Sequence, residues 1–191
     1  MDDGRQDEAA GGPTAAAGPT GSGWRATAAW LAFYATLAVA ATWPLARDAR
    51  DHVYGLGTPP LNVWAMGFVQ HQLPRAPFDL FDANAFYPYE KTLAFSEHLF
   101  LPALLSWPLA GPSGNLVLGH NVAALLALAL AGLGMHLLAR ELTGDGLAAC
   151  AAGVLYAFHT WNVNELSRLQ ILSNQWFPLL LLALLRYFAT P

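Results

Sequence analysis

The placement of charge constrains this chain more than any other feature. Only 12% of the 191 residues carry a charge while 55% are apolar, whereas an ordinary soluble domain has roughly 25% charged residues. The charge is missing in blocks: residues 26–46, 99–139, 146–164 and 169–185 contain no Asp, Glu, Lys or Arg. A helix formed from such a block has no charged face to offer water, so the blocks predict helices enclosed by protein or lipid. The first 23 residues hold Asp2, Asp3, Asp7 and Glu8 against Arg5, which accounts for most of the net charge of −4. The rest of the chain is nearly neutral and has no Lys/Arg field, so nucleic acid is not expected as a partner. Cys150 is the only cysteine, which excludes an internal disulfide and a cysteine-based zinc site.

A bilayer core of about 30 Å needs about 20 helical residues, and the blocks can be tested against that length. Residues 26–45 pass, bracketed by Trp24 and Trp43 with Arg25 just outside, as expected of interfacial anchors. Residues 115–139 are longer, rich in small side chains suited to helix packing, and end at Arg140. Residues 146–161 and 176–189 complete the set. The expected fold class is therefore all-α, a polytopic membrane protein of about four transmembrane helices. Its long outer loop, residues 46–114, carries surface or re-entrant helices.

Residues 99–110 are too short to be a comfortable span, and Pro102 and Pro108 interrupt them. A segment of that kind more often re-enters or lies in the interface than crosses. If it does not cross, Arg25, Arg140 and Arg186 all fall on inner connections, as the positive-inside rule requires. The chain is thus expected to be an integral inner-membrane protein with its N-terminus cytoplasmic. Residues 1–23 read as a disordered Gly/Pro/Ala/Thr tail. A cleaved signal peptide ending at the Ala38-Val39-Ala40 triplet is the rival reading, opposed by the long acidic segment before it.

The outer loop is too aromatic to be a linker, since it holds Trp64, Phe68, Phe78, Phe81, Phe86, Tyr87, Tyr89 and Phe95. Within it, residues 61–73 place Leu61, Trp64, Phe68 and His71/Gln72 at helical spacing, with Pro59 and Pro60 opening the turn. That pattern predicts an interfacial helix with one apolar stripe.

Four strings taken in order, NVWAMGFVQHQL, PFDLFDANAFYPYEKTLAFSEHLFLP, NVAALLALALAGLGMHLLARELTG and NELSRLQILSNQWFPLLLLALLRY, carry a likeness. They resemble a family of bacterial multi-pass membrane proteins that is in turn similar to GT-C-type glycosyltransferases, the superfamily of protein mannosyltransferases and aminoarabinose transferases. The likeness spans about residues 27–190 and implies that the chain is the N-terminal portion of such an enzyme, expected to be inactive by itself if later spans complete the lipid-donor cavity. It further implies transfer of a sugar from a polyprenyl-phosphate donor at the outer membrane face, with an outer-loop carboxylate as base or metal ligand. Where relatives carry an acidic residue in a Gly-Asp-Pro-like turn, this chain reads Gly57-Thr58-Pro59. Asp51, with Asp48, is the nearby carboxylate that can take its place if the loop folds it back.

Each candidate has a chemical and a structural reading. Glu97 and His98 stand where the loop returns to apolar sequence, either as an acid/base pair or as a cap for the next turn. Arg168, with Glu165 and Gln170 on the second outer loop, fits a lipid phosphate or an interfacial ion pair. His71 with Asp79 and Asp82 offers substrate contacts or ligands for a divalent metal, although no diagnostic spacing is present and no metal site is assigned. The alternative to an enzyme is a non-catalytic membrane protein that binds lipid-linked sugar or scaffolds a partner, which the residue at Thr58 favours.

Overall fold

The computed structural model describes residues 23–189, and the expected N-terminal tail lies outside the described residues apart from Gly23. The described residues are all-α, with no strand. Six helices exceed ten residues: α1 (Gly23–Ala41), α2 (Pro59–Gln72), α3 (Phe100–Ala110), α4 (Leu116–Thr143), α5 (Gly146–Phe158) and, after two short turns α6 (Thr160–Asn164) and α7 (Leu169–Leu172), α8 (Trp176–Ala189).

α4 is the axis of the molecule, and α1, α2, α3, α5 and α8 all pack on it. Its 28 residues include seven Ala or Gly side chains that are wholly or almost wholly buried between Ala123 and Gly134, and these let neighbouring backbones come close. The closest approach is to α5, where a Cβ added at Gly153 would stand 2.6 Å from the Gly132 carbonyl and also collide with the Tyr34 ring of α1. Tyr34 fills that three-helix junction, donating to the Cys150 carbonyl at 3.3 Å and lying 3.3 Å from His136 Nδ1. The α4–α5 hairpin is made by local chemistry. Gly144 takes the left-handed conformation (φ 72°) that ends α4, and Asp145 then caps α5 by accepting from Leu147 N–H at 2.7 Å. α4 itself is capped by Asn115, whose side chain accepts from Leu118 N–H at 2.9 Å.

Two segments are long and apolar enough to cross a membrane: α4, and residues 169–189, which comprise α7, a turn at 173–175 and α8. α8 hides little of its surface. Phe177, Leu180, Leu181, Leu184, Leu185 and Phe188 are all exposed, an apolar face far more continuous than soluble proteins present to water. The other two expected spans are helices of 19 (α1) and 13 residues (α5). α3, at 11 residues, is about half the length needed to cross.

The long segment after α1 and the segment after α5 lie at one end of the bundle, where they line common cavities. Side-chain ties hold them there. Buried Asn121 of α4 donates to the carbonyls of Ala49 and His52 at 2.9 and 2.7 Å, and Asn115 donates to the Arg50 carbonyl at 2.9 Å. On the other segment, buried Asn162 donates to the Tyr156 and Ala157 carbonyls and accepts from Asn174 at 2.7 Å. At the opposite end Arg186 pairs with Glu141 at 2.7 Å.

α2 forms where the two prolines predict it, but its buried face is not the expected one. Asn62, Ala65, Met66 and Val69 face inward, while Leu61 is exposed and Trp64 and Phe68 are half-buried. Two close partners, α3 and α4, select the smaller side chains, and Gln70 ties α2 to α3 by donating to the Ala103 carbonyl at 2.9 Å. The large aromatic side chains are displaced to the flank, where Trp64 and Phe68 stack at 6.0 Å.

Candidate functional site

At the end of the bundle where the two segments meet, Glu97 and His98 of the first segment and Gln170 and Ser173 of the second line one cleft of about 390 Å³. Leu99, Phe100, Leu101 and Pro102 at the start of α3 and Trp176 at the start of α8 supply its apolar wall. The cleft therefore combines a few polar side chains with a mainly apolar lining from α3 and α8.

Its polar groups are held by local bonds. Phe100 N–H donates to His98 Nδ1 at 3.1 Å, so in the neutral ring the proton sits on Nε2 and that nitrogen is the donor. The capping and the chemical readings of His98 are thus compatible, because one ring nitrogen caps α3 and the other is available. Glu97 accepts from Ser96 Oγ through Oε2 at 2.9 Å, which orients the carboxylate. Gln170 is positioned by α2: Asn62 Nδ2 donates to its Oε1 at 3.3 Å. Asn62 is almost fully buried, so its one polar bond across the segments fixes which face of α2 meets α7.

The remaining expected site residues lie elsewhere. Arg168 pairs with Glu165 at 3.2 Å, with the carboxylate nearly buried and the guanidinium half exposed. Neither lines the cleft. His71 is exposed on the flank of α2, where it borders a separate depression with Trp64, Phe68 and Asn84. Asp82 accepts from Lys91 N–H at 2.7 Å and acts as a turn residue. Among the described residues no three His, Cys, Asp or Glu side chains come together to hold a metal ion. Asp51 is exposed, whereas Asp48 and His52 border a cavity of about 370 Å³ that Val163 and Leu166 also line. Thr58 is the residue before α2 and makes no side-chain cap bond.

No family model, curated protein or solved structure matches the chain. The site's chemistry therefore rests on its own residues. Glu97 supplies a hydrogen-bond acceptor and base, His98 and Gln170 supply donors, and the leucines, Pro102 and Trp176 supply a surface for a hydrocarbon chain. From sequence, Ser173 carries no site role, Asn62 marks only a polar edge of the 61–73 helix and Trp176 only the end of the second outer loop. Ser173 and Trp176 flank the turn that separates α7 from α8, and Asn62 is a polar residue on an otherwise apolar helix face.

Proposed function

We propose that the chain is the four-span N-terminal part of an inner-membrane GT-C-type glycosyltransferase that uses a polyprenyl-phosphate-linked sugar, with the cleft at Glu97 and His98 as its donor site. The observation that carries the reading is the cleft's composition. A carboxylate, an imidazole and an amide line the same cleft as an apolar wall that includes residues of α3 and α8, whose other faces are exposed. That division suits a ligand with a polar head and a hydrocarbon tail. α1 completes one crossing and α5, about 20 Å long, completes the other only together with the adjoining α6, while α3 dips part-way as a re-entrant helix packed on α4.

In this reading the polyprenyl chain lies along Leu99, Leu101, Pro102 and Trp176. The acceptor hydroxyl oxygen bonds to sugar C1 as the C1–O bond to phosphate breaks, and that electron pair leaves on the phosphate oxygen. Glu97 takes the hydroxyl proton, and His98 Nε2–H and Gln170 donate to the departing phosphate. Arg168 stays outside as a partner of Glu165.

A non-catalytic carrier of lipid-linked sugar is the second reading. It is favoured by Thr58 standing where the resembling family has an acidic residue. Transfer of radiolabelled hexose from undecaprenyl-phosphate hexose by the purified protein in liposomes separates the two. The expected outcome is measurable transfer that falls by about a hundredfold or more in Glu97→Gln, as for loss of a general base. Transfer unaffected by Glu97→Gln would refute the site, and donor binding without transfer would establish the carrier reading.

A further inference from the structure

Glu97 lines two cavities. Besides the donor cleft, it borders a smaller and more enclosed pocket of about 250 Å³ on its other side, walled by Leu61 and Trp64 of α2 and by Phe86, Phe95, Leu93 and Thr92 of the first segment. Three observations mark this pocket as more than a packing gap. Its walls are aromatic: Phe86 and Phe95 lie 6.0 Å apart with their rings tilted by 44°, and both remain largely exposed at 66% and 60%. Its polar groups are a carboxylate and two hydroxyls, Glu97, Ser96 and Thr92, of which Thr92 already donates to the Ala83 carbonyl at 3.0 Å and so offers its oxygen as an acceptor. Backbone strain is gathered around it. Among the described residues the only non-glycine positions with positive φ are Phe86 (59°), Lys91 (53°) and Leu99 (47°); the first lines this pocket, the second directly precedes Thr92 and the third lines the donor cleft. Such conformations cost of order 1–3 kcal/mol each and persist where surrounding structure enforces them, most often at functional sites.

We propose that this pocket is the acceptor subsite and that it takes the ring of a sugar bearing a free hydroxyl. The proposal rests on the glycosyltransferase reading of the adjoining cleft. A sugar ring presents an apolar C–H face, which packs on aromatic rings, and an edge of hydroxyls, which needs acceptors and donors. Phe86, Phe95 and Trp64 meet the first need; Glu97, Ser96 and Thr92 supply acceptors for the second, to which the sugar hydroxyls donate. A hydrocarbon tail would satisfy the walls but leave the carboxylate desolvated against carbon. Ser96 holds Glu97 Oε2 at 2.9 Å, which leaves Oε1 to accept from the hydroxyl that attacks. Because Glu97 is shared by both cavities, the hydroxyl of a ring in this pocket is presented toward the donor cleft.

The test uses the purified full chain in nanodiscs with a diazirine-bearing octyl glucoside as probe and a diazirine-bearing octanol as control. Photolabelling by the glucoside is expected to map within residues 61–65 and 86–97 and to be competed by methyl glucoside. Phe95→Ala is expected to weaken that labelling about tenfold, the loss of a stacked ring contact, while Phe95→Tyr retains it. Both substitutions are at an exposed position, and folding is checked by the unchanged thermal transition. Equal labelling of the same residues by the octanol probe, or no response to Phe95→Ala, would overturn the proposal. If the wild type labels as expected but transfers no sugar, the donor reading fails while the sugar-binding pocket stands. If transfer occurs and Phe95→Ala leaves the acceptor KM unchanged, the pocket assignment fails and the donor reading stands.

Discussion

Single residues decide how closely the helices meet. Gly153 and Gly132 bring α5 against α4, and Tyr34 closes the third side with its hydroxyl on the Cys150 carbonyl. A side chain at Gly153 would have to move a backbone carbonyl 2.6 Å from the new Cβ, and backbone yields less readily than a flexible side chain. Gly153→Leu is therefore expected to destabilise the protein by about 1–3 kcal/mol, read as a lowered transition in detergent denaturation. Gly23→Leu, where no atom lies within 4 Å of the added Cβ, is expected to leave the transition in place. The buried amides act in the opposite sense, by specifying rather than crowding. Asn121 gathers two loop carbonyls and Asn162 two helix-end carbonyls, and each would leave unsatisfied acceptors behind if removed.

At the scale of elements, α4 and α8 are apolar for different reasons. α4 and the α7–α8 segment both meet the length and hydropathy needed to cross a membrane, but most of the apolar stretch of α4 is buried inside the protein whereas most of that in residues 169–189 is not. α4 is enclosed by other helices; α8 faces outward with leucine and aromatic side chains. A nitroxide on Leu181→Cys, on the outward face, is expected to show high collision with oxygen and low collision with a water-soluble nickel chelate. On Leu182→Cys, which is buried, both collision rates are expected to be low. Strong nickel-chelate collision at position 181 would mean that α8 faces water. α2 shows how an element's existence and its orientation are encoded separately. Pro59, Pro60 and the helical spacing place the helix, but the inward face is chosen by the closeness of α3 and α4, which a pattern of Leu61, Trp64 and Phe68 cannot express.

For the molecule as a whole, the charge pattern made the helical content and the two-ended layout legible. The apolar blocks became helices, and the residual charge outside the tail lies mainly in the connections. Hairpin chemistry at Gly144 and Asp145 and the cap at Asn115 are equally local and readable. The site was readable only in part. Glu97 and His98 stand out as a pair before an apolar run, and Gln170 as a polar residue on the second segment, yet their shared cleft depends on Asn62 meeting Gln170 across 108 positions of sequence. Arg168 and His71 drew attention by residue type alone, and ordinary local geometry, an i,i+3 ion pair and an exposed helix flank, places them outside the cleft.

In the glycosyltransferase reading the cleft faces the outer side of the membrane and receives a polyprenyl phosphate. Ser173, on the cleft wall and half-buried, reports on both points when changed to Cys in a Cys150→Ser background. Labelling of Ser173→Cys in intact spheroplasts by a membrane-impermeant maleimide is predicted without opening the inner membrane, and it is predicted to be blocked by prior addition of undecaprenyl phosphate. Labelling only after the cytoplasmic face is exposed, or labelling indifferent to undecaprenyl phosphate, would contradict the account.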